Sequence, residues 1–215
     1  MNRAWESSKQ IENEETARQY LAQRADHEAV DRLERLHDLL IEENTRQNLI
    51  SRSSQSAIWV RHFADSAQLL RFVPRETLAG GGCWLDLGTG AGFPGLVIAV
   101  LRPDATVFLV EARPRRVEFL EKCVQALQLS RCSVLGERLE RIEPFMAAVI
   151  SARAFAPLEK LLRLSAPFST TATRYLLPKG RSAEHELRGQ KQSIRNKFHV
   201  EHSLTDRDAG IIVSA

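Results

Sequence analysis

Leucines recur at helical spacing between about Tyr20 and Glu43, at Leu33, Leu36 and Leu40, and predict one or two amphipathic helices with a single buried face. Residues 1–18 ahead of them are polar and charged, the pattern of a disordered lead-in. A polar connection, Asn44–Ser56, contains Asn48-Leu49-Ile50 and leads to another helix from about Ile58 to Phe72. Pro74 and the run Gly80-Gly81-Gly82 then break the pattern, dividing a helical cap (19–76) from a body (77–215).

In the body, short apolar runs alternate with helical stretches. Runs from Cys83 to Asp86 and over Thr106–Val110, Cys132–Gly136, Ala147–Ser151 and Arg174–Leu177 predict buried strands. Helices are expected from near Pro94 and over Arg113–Leu127, Leu158–Leu164 and Ser182–Arg195, with two last strands at Phe198–Leu204 and Gly210–Val213. Strands spaced by helices predict a doubly wound parallel sheet, into which the last strand can insert antiparallel.

Charge sharpens this division. The 215 residues carry a net +3, but residues 1–60 hold 8 Lys/Arg against 11 Asp/Glu, so the positive balance belongs to the body. Three cysteines, odd in number and without C-x-x-C spacing, indicate neither a disulfide framework nor a zinc site. The N-terminus has no apolar leader, and the longest apolar run, Leu96–Leu101, is too short to span a bilayer. A cytoplasmic protein without membrane, disulfide or metal partners is expected.

The first strand of the body runs straight into Asp86-Leu87-Gly88-Thr89-Gly90-Ala91-Gly92-Phe93-Pro94-Gly95. Gly90–Gly95 fits the dinucleotide fingerprint G-x-G-x-x-G, while Asp86–Gly92 fits D-x-G-x-G-x-G, the pattern of S-adenosylmethionine-dependent methyltransferases, and the glycines alone decide neither. Asp86 ahead of the first glycine, and Pro94 where a pyrophosphate would want free N–H groups, favour the methyltransferase. An ammonium and a sulfonium are attracted by a nearby carboxylate.

Ligands of open α/β sheets bind outside the carboxyl ends of the strands, which makes every strand end a candidate. Glu111 closes the second strand, where it can hold ribose hydroxyls or simply pair with Arg113 or Arg115. Glu137-Arg138-Leu139-Glu140 follow the third strand, Ser151-Ala152-Arg153 the fourth and Pro178-Lys179-Gly180 the fifth. Arg153 has no structural need at a strand end except a surface salt bridge, and Lys179 could belong to a turn. His62 and Asp65, three apart on a helix, either pair locally or place His62 at the mouth of the site. Phe93 and Phe155 are candidates for stacking on a base or for the core. Arg113, Arg115 and Arg116 crowd a helix start, against the macrodipole, as phosphate ligands would.

Asn48-Leu49, Arg61-His62 with Asp65-Ser66, the Asp86–Gly95 loop, Arg138-Leu139-Glu140, Arg153-Ala154-Phe155-Ala156 and Lys179-Gly180 together resemble the 16S ribosomal RNA guanine-N7 methyltransferase family, also called the glucose-inhibited division protein B family. The resemblance runs from about residue 30 to near the C-terminus. It implies a class I methyltransferase, Rossmann-like, with a mostly parallel seven-stranded sheet, using S-adenosyl-L-methionine to methylate N7 of one guanine in the 530 loop of 16S rRNA. Small-molecule or protein acceptors, a nicotinamide site and a non-catalytic rRNA-binding module are the competing readings. The implied cofactor residues are Asp86, Gly88, Gly90, Gly92, Phe93, Glu111, Leu139, Glu140 and Arg153; those for RNA are Asn48, His62, Arg138 and Lys179, with Arg153 and Lys179 as catalytic groups. The partner is the 30S subunit and the enzyme a monomer. Guanine N7 carries a lone pair and no proton, so no catalytic dyad is expected and positioning does most of the work.

Overall fold

The protein is described over residues 9–214 by a computed structural model. Its N-terminal part consists of α1 (Glu14–Ala22), α2 (His27–Asn44), α3 (Arg52–Gln55), a π-helical segment Trp59–Ala64, α4 (Asp65–Ala67), a 3-10 turn Gln68–Phe72 and α5 (Arg75–Ala79). Side chains start the first two helices: Asn13 and Thr16 cap α1 reciprocally, and Asp26 accepts the N–H of Ala29 at the head of α2. Leu33, Leu36 and Leu40 are fully buried, as their spacing predicts.

Two expectations fail here. Residues 1–8 lie outside the described residues, but 9–18 are no loose lead-in. Ile11 is buried and donates its N–H to Leu204 O at 2.7 Å, and the Glu14 carboxylate accepts the N–H groups of Trp59 (3.1 Å) and Val60 (2.9 Å). Polar residues that look unstructured alone are caps for elements far along the chain. The helix expected over 58–72 is wound in three ways, π then α then 3-10, which resets the phase of its side chains.

The body consists of β1 (Cys83–Leu87), α6 (Gly95–Leu101), β2 (Thr106–Val110), α7 (Pro114–Ala126), β3 (Cys132–Leu135), β4 (Val149–Ser151), α8 (Leu158–Ser165), β5 (Arg174–Gly180), α9 (Ala183–Arg188), α10 (Gln192–Arg195), β6 (Phe198–His202) and β7 (Gly210–Ser214). The strand order is β3-β2-β1-β4-β5-β7-β6, with β7 antiparallel to both neighbours. Order therefore reverses between β1 and β4, the place where such sheets bind ligands. The charged helix expected over Ser182–Arg195 is interrupted at Gly189, and β5 runs on through Lys179 and Gly180.

Alternation along β1 divides the interior. Leu85 and Leu87 join Ile150, Leu177 and α8 on one face, while Trp84 joins Val107, Leu176 and the helices of the other. The second cluster is continuous from Ile11 through Phe63 and Leu96 to Val213, so the N-terminal helices and the sheet share one core.

Candidate active site

Two clefts open at the carboxyl ends of the strands. The smaller, about 340 Å³, is lined by Gly88, Glu111, Arg113, Arg116 and Arg138–Glu140; the larger, about 830 Å³, by Arg61, His62, Asp65, Arg153, Lys179 and Glu186 among others. Ala154, Phe155 and Ala156 line both and form the partition.

The smaller cleft is built on strand tips. Gly88 follows β1 with φ +62°, and a Cβ there would lie 2.9 Å from Phe155 Cδ2, so the backbone must be bare for the partition to seat. Glu111 at the end of β2 is buried; its Oε1 accepts the N–H groups of Ala112 (2.8 Å) and Arg113 (3.0 Å), and its Oε2 faces Arg116 Nη1 at 3.6 Å. The pairing partner is thus Arg116, not Arg113 or Arg115. Leu139 is buried beneath the cleft and Glu140 is exposed at its edge. A carboxylate at a strand end, an apolar floor and a bare backbone suit a nucleoside.

Several expected ligand contacts turn out to build the scaffold. Asp86 has no exposed surface and lines neither cleft: Oδ2 accepts the Gly95 N–H at the head of α6 (3.0 Å) and Oδ1 the Ser151 hydroxyl (2.7 Å), which also receives Trp84 Nε1–H at 2.7 Å. Burial pushes its pKa up. The carboxylate thus ties loop, helix and two strands together from behind. At Gly92 (φ +96°), a Cβ would lie 2.3 Å from Leu96 Cδ1, so helix packing, not ligand approach, demands that glycine. Gly90 lies beside the Arg116 guanidinium, also outside the cleft lining. Phe93 is buried, its ring stacked on His62 with centroids 4.8 Å apart at 12°.

The larger cleft draws on distant segments. Arg153, two residues past β4, donates through Nη1 to His62 Nδ1 at 3.1 Å. His62 does not pair with Asp65, whose carboxylate accepts from Gln68 Nε2 (2.9 Å) and the Thr205 hydroxyl (2.8 Å). Burial foremost, then the Arg153 and Arg61 charges, push the His62 pKa down to about 3, so the ring is neutral at pH 7. Lys179 Nζ donates to Ala156 O and pairs with Glu186 Oε1, both at 3.1 Å, with a nearly buried side chain. It is therefore not the open cation expected for RNA. Glu186, which also accepts the Leu158 N–H at 2.7 Å, carries no sequence signal beyond membership of a charged stretch.

Arg138 borders the smaller cleft instead of the larger one, and Asn48 is exposed and lines neither. Exposed Arg61, Arg113, Arg138 and Lys160 line the clefts without a carboxylate partner among the described residues. Among the described residues, no helix is long and apolar enough to cross a membrane, and no cluster of His, Cys, Asp and Glu is suited to hold a metal.

Comparison with known proteins agrees with this geometry. The family model described as rRNA small subunit methyltransferase G matches residues 29–209. A protein of that name from Erythrobacter litoralis is 55% identical over 203 residues, covering 94% of this chain and 96% of its own; one from Sphingopyxis alaskensis is 48% identical, covering 94% and 86%. Solved structures that share the fold include a MtNAS variant in complex with S-adenosylmethionine (TM-score 0.52, 16% identity, covering 98% of this chain and 86% of that one). A second is a putative O-methyltransferase from Klebsiella pneumoniae (0.55, 17%, covering 84% and 89%). Fold, strand-end clefts and relatives converge: the chain belongs to the rRNA small subunit methyltransferase G family and is an S-adenosylmethionine-dependent rRNA methyltransferase.

Proposed function

We propose that the chain methylates N7 of one guanine in the 530 loop of 16S rRNA, acting as a monomer on the 30S subunit in the cytoplasm. S-adenosylmethionine supplies a methyl group on a sulfonium. Glu111, Gly88, Leu139 and Glu140 would hold its nucleoside in the smaller cleft, and the guanine would enter the larger one, beside Arg153. Exposed Arg61 and Lys160 suit phosphate contacts on either side of the partition, and Arg138 extends the same basic rim.

The observation that carries this reading is the state of the possible bases beside Arg153. His62 Nδ1 already accepts from the guanidinium, Asp65 accepts from Gln68 and Thr205, and Glu186 accepts from Leu158 and Lys179. Acceptors that must lose a proton need a free base. Guanine N7 does not, and Arg153, whose histidine neighbour already has its Nδ1 lone pair engaged, suits it as a donor; His185 and Asp206, which also line this cleft, are not called on. The residues then contribute alignment, exclusion of water and tolerance of charge moving onto the purine.

Purified protein incubated with methyl-labelled adenosylmethionine and 30S particles should place label on one guanine, released under conditions that cleave at N7-methylguanine. Label on another base, on ribose or on protein would defeat the reading.

A further inference from the structure

Of the cations that line the larger cleft, the protein holds Lys179 and Arg153 in opposite ways. Lys179 is neutralised: its ammonium pairs with Glu186 and donates to Ala156 O. Arg153 is held by an uncharged group. A guanidinium has only donors, so the 3.1 Å contact from Arg153 Nη1 requires a lone pair on His62 Nδ1, and the imidazole proton must sit on Nε2. We infer that His62 is a positioning residue which, as the neutral Nε2–H tautomer, fixes the Arg153 guanidinium in the larger cleft and leaves its remaining N–H donors for the acceptor base. This inference rests on the larger cleft being the acceptor site.

Three observations bear on it. His62 is 7% exposed, and its ring is clamped flat against Phe93 of the glycine loop, so the imidazole has one orientation. Nε2 is buried with no hydrogen-bond partner among the described residues, an arrangement stability alone would not retain. The ring also sits on the π-helical segment Trp59–Ala64, and such windings are frequently found at functional sites. The groups facing His62 are Arg153 from the β4–α8 loop, Phe93 from the glycine loop and Arg61 on its own segment, while Asp65 is turned toward Gln68 and Thr205. Both arginines oppose a protonated ring.

The test compares His62→Phe, which keeps an aromatic ring against Phe93 but removes the acceptor, with His62→Gln, whose amide oxygen can accept from Arg153. With adenosylmethionine affinity unchanged by calorimetry, the Phe variant should lose about 100-fold in kcat/KM for 30S, the scale of a misplaced catalytic group, and the Gln variant should recover most of it. A Phe variant as active as wild type, or a Gln variant no better than it, overturns the inference. Should the variants fail to fold, nitrogen-15 imidazole spectra of the wild-type chain still decide: a proton on Nε2 and none on Nδ1 between pH 5 and 8 is expected, and a doubly protonated or Nδ1–H ring overturns the inference. Wild-type protein that leaves 30S unlabelled would instead remove the functional reading, and the spectrum would still test the pair.

Discussion

The two clefts meet at Phe155 yet are made differently. The smaller is an outcome of sheet geometry: parallel register sets Asp86 beside Leu109 and Ser151, so the tips of β1, β2 and β3 arrive together with their loops. The larger is assembled by side chains that bridge separate segments, such as Asp65 to Thr205, Gln68 to Ser203 and Lys179 to Ala156. Backbone register tolerates the loss of one side chain, which then costs ligand affinity alone. A bridged cleft loses shape when one bridge goes, because the freed partner is left buried and unsatisfied. Changes at the smaller cleft should therefore divide sharply into scaffold effects and binding effects.

Gly92→Ala marks the scaffold limit of that division. It forces a side chain into a left-handed conformation and against Leu96 Cδ1, and should cost about 3 kcal/mol of stability from strain and overpacking together. Denaturant midpoints measure it, and a loss below about 1 kcal/mol would mean the loop adapts more freely than its packing implies. Glu111→Ala marks the binding limit. Adenosylmethionine affinity should fall more than about tenfold, roughly 1.4 kcal/mol, while stability falls by less than about 1 kcal/mol, because the freed N–H groups belong to the exposed residues Ala112 and Arg113 and can turn to water. Unchanged calorimetric binding would remove the ribose role, and a fall in stability equal to the fall in binding would erase the distinction between the two kinds of residue.

Acidification separates the regions by sign. His62 in the larger cleft has a folded pKa lowered to about 3, so the unfolded chain binds its proton first, and stability present above pH 6.5 falls as pH drops. By pH 5.5 the loss from this ring is about 1.4 kcal/mol. Asp86, behind the smaller cleft, has a raised pKa: the folded chain binds its proton first, and acidification through that pKa favours folding. Urea titrations at pH 7.5 and 5.5 should therefore show wild type losing more stability than His62→Gln. Equal losses would mean that the imidazole does not carry the difference.

How much could be read in advance follows the same line. Strands β1 to β4 lie within two residues of their apolar runs, and Glu111 and the Arg138–Glu140 turn stand at the cleft the strand-end rule assigned to them. The loop motif could not say which of its members faces outward: Asp86 and Gly92 read as ligand contacts because a pattern of residue types carries no information on which side of the backbone is packed. The larger cleft was harder, since its partners are set by tertiary closure. Nothing near Lys179 announces Glu186, no local pattern indicates that Glu14 caps Trp59 and Val60, and the π-helical winding places His62 against Arg153 where an ordinary helix suggested Asp65.

The smallest expected effect concerns Asn48. Family resemblance points to it as an RNA contact, yet it is exposed on the turn after α2 and lines neither cleft, while Asn44, buried one turn earlier, accepts the N–H groups of Leu49 (2.8 Å) and Ile50 (2.9 Å) through Oδ1. The motif is thus explained by chain geometry: Asn44 folds the Asn48-Leu49-Ile50 turn back onto α2 and fixes the approach to the π-helical segment. Asn44→Ala strands two backbone donors and should cost about 2 kcal/mol in a thermal melt. Asn48→Ala should leave both stability and kcat/KM for 30S within about twofold of wild type, as for surface changes away from special features. A tenfold fall in kcat/KM with stability intact would extend the RNA-binding surface beyond the two clefts and onto the α2–α3 turn.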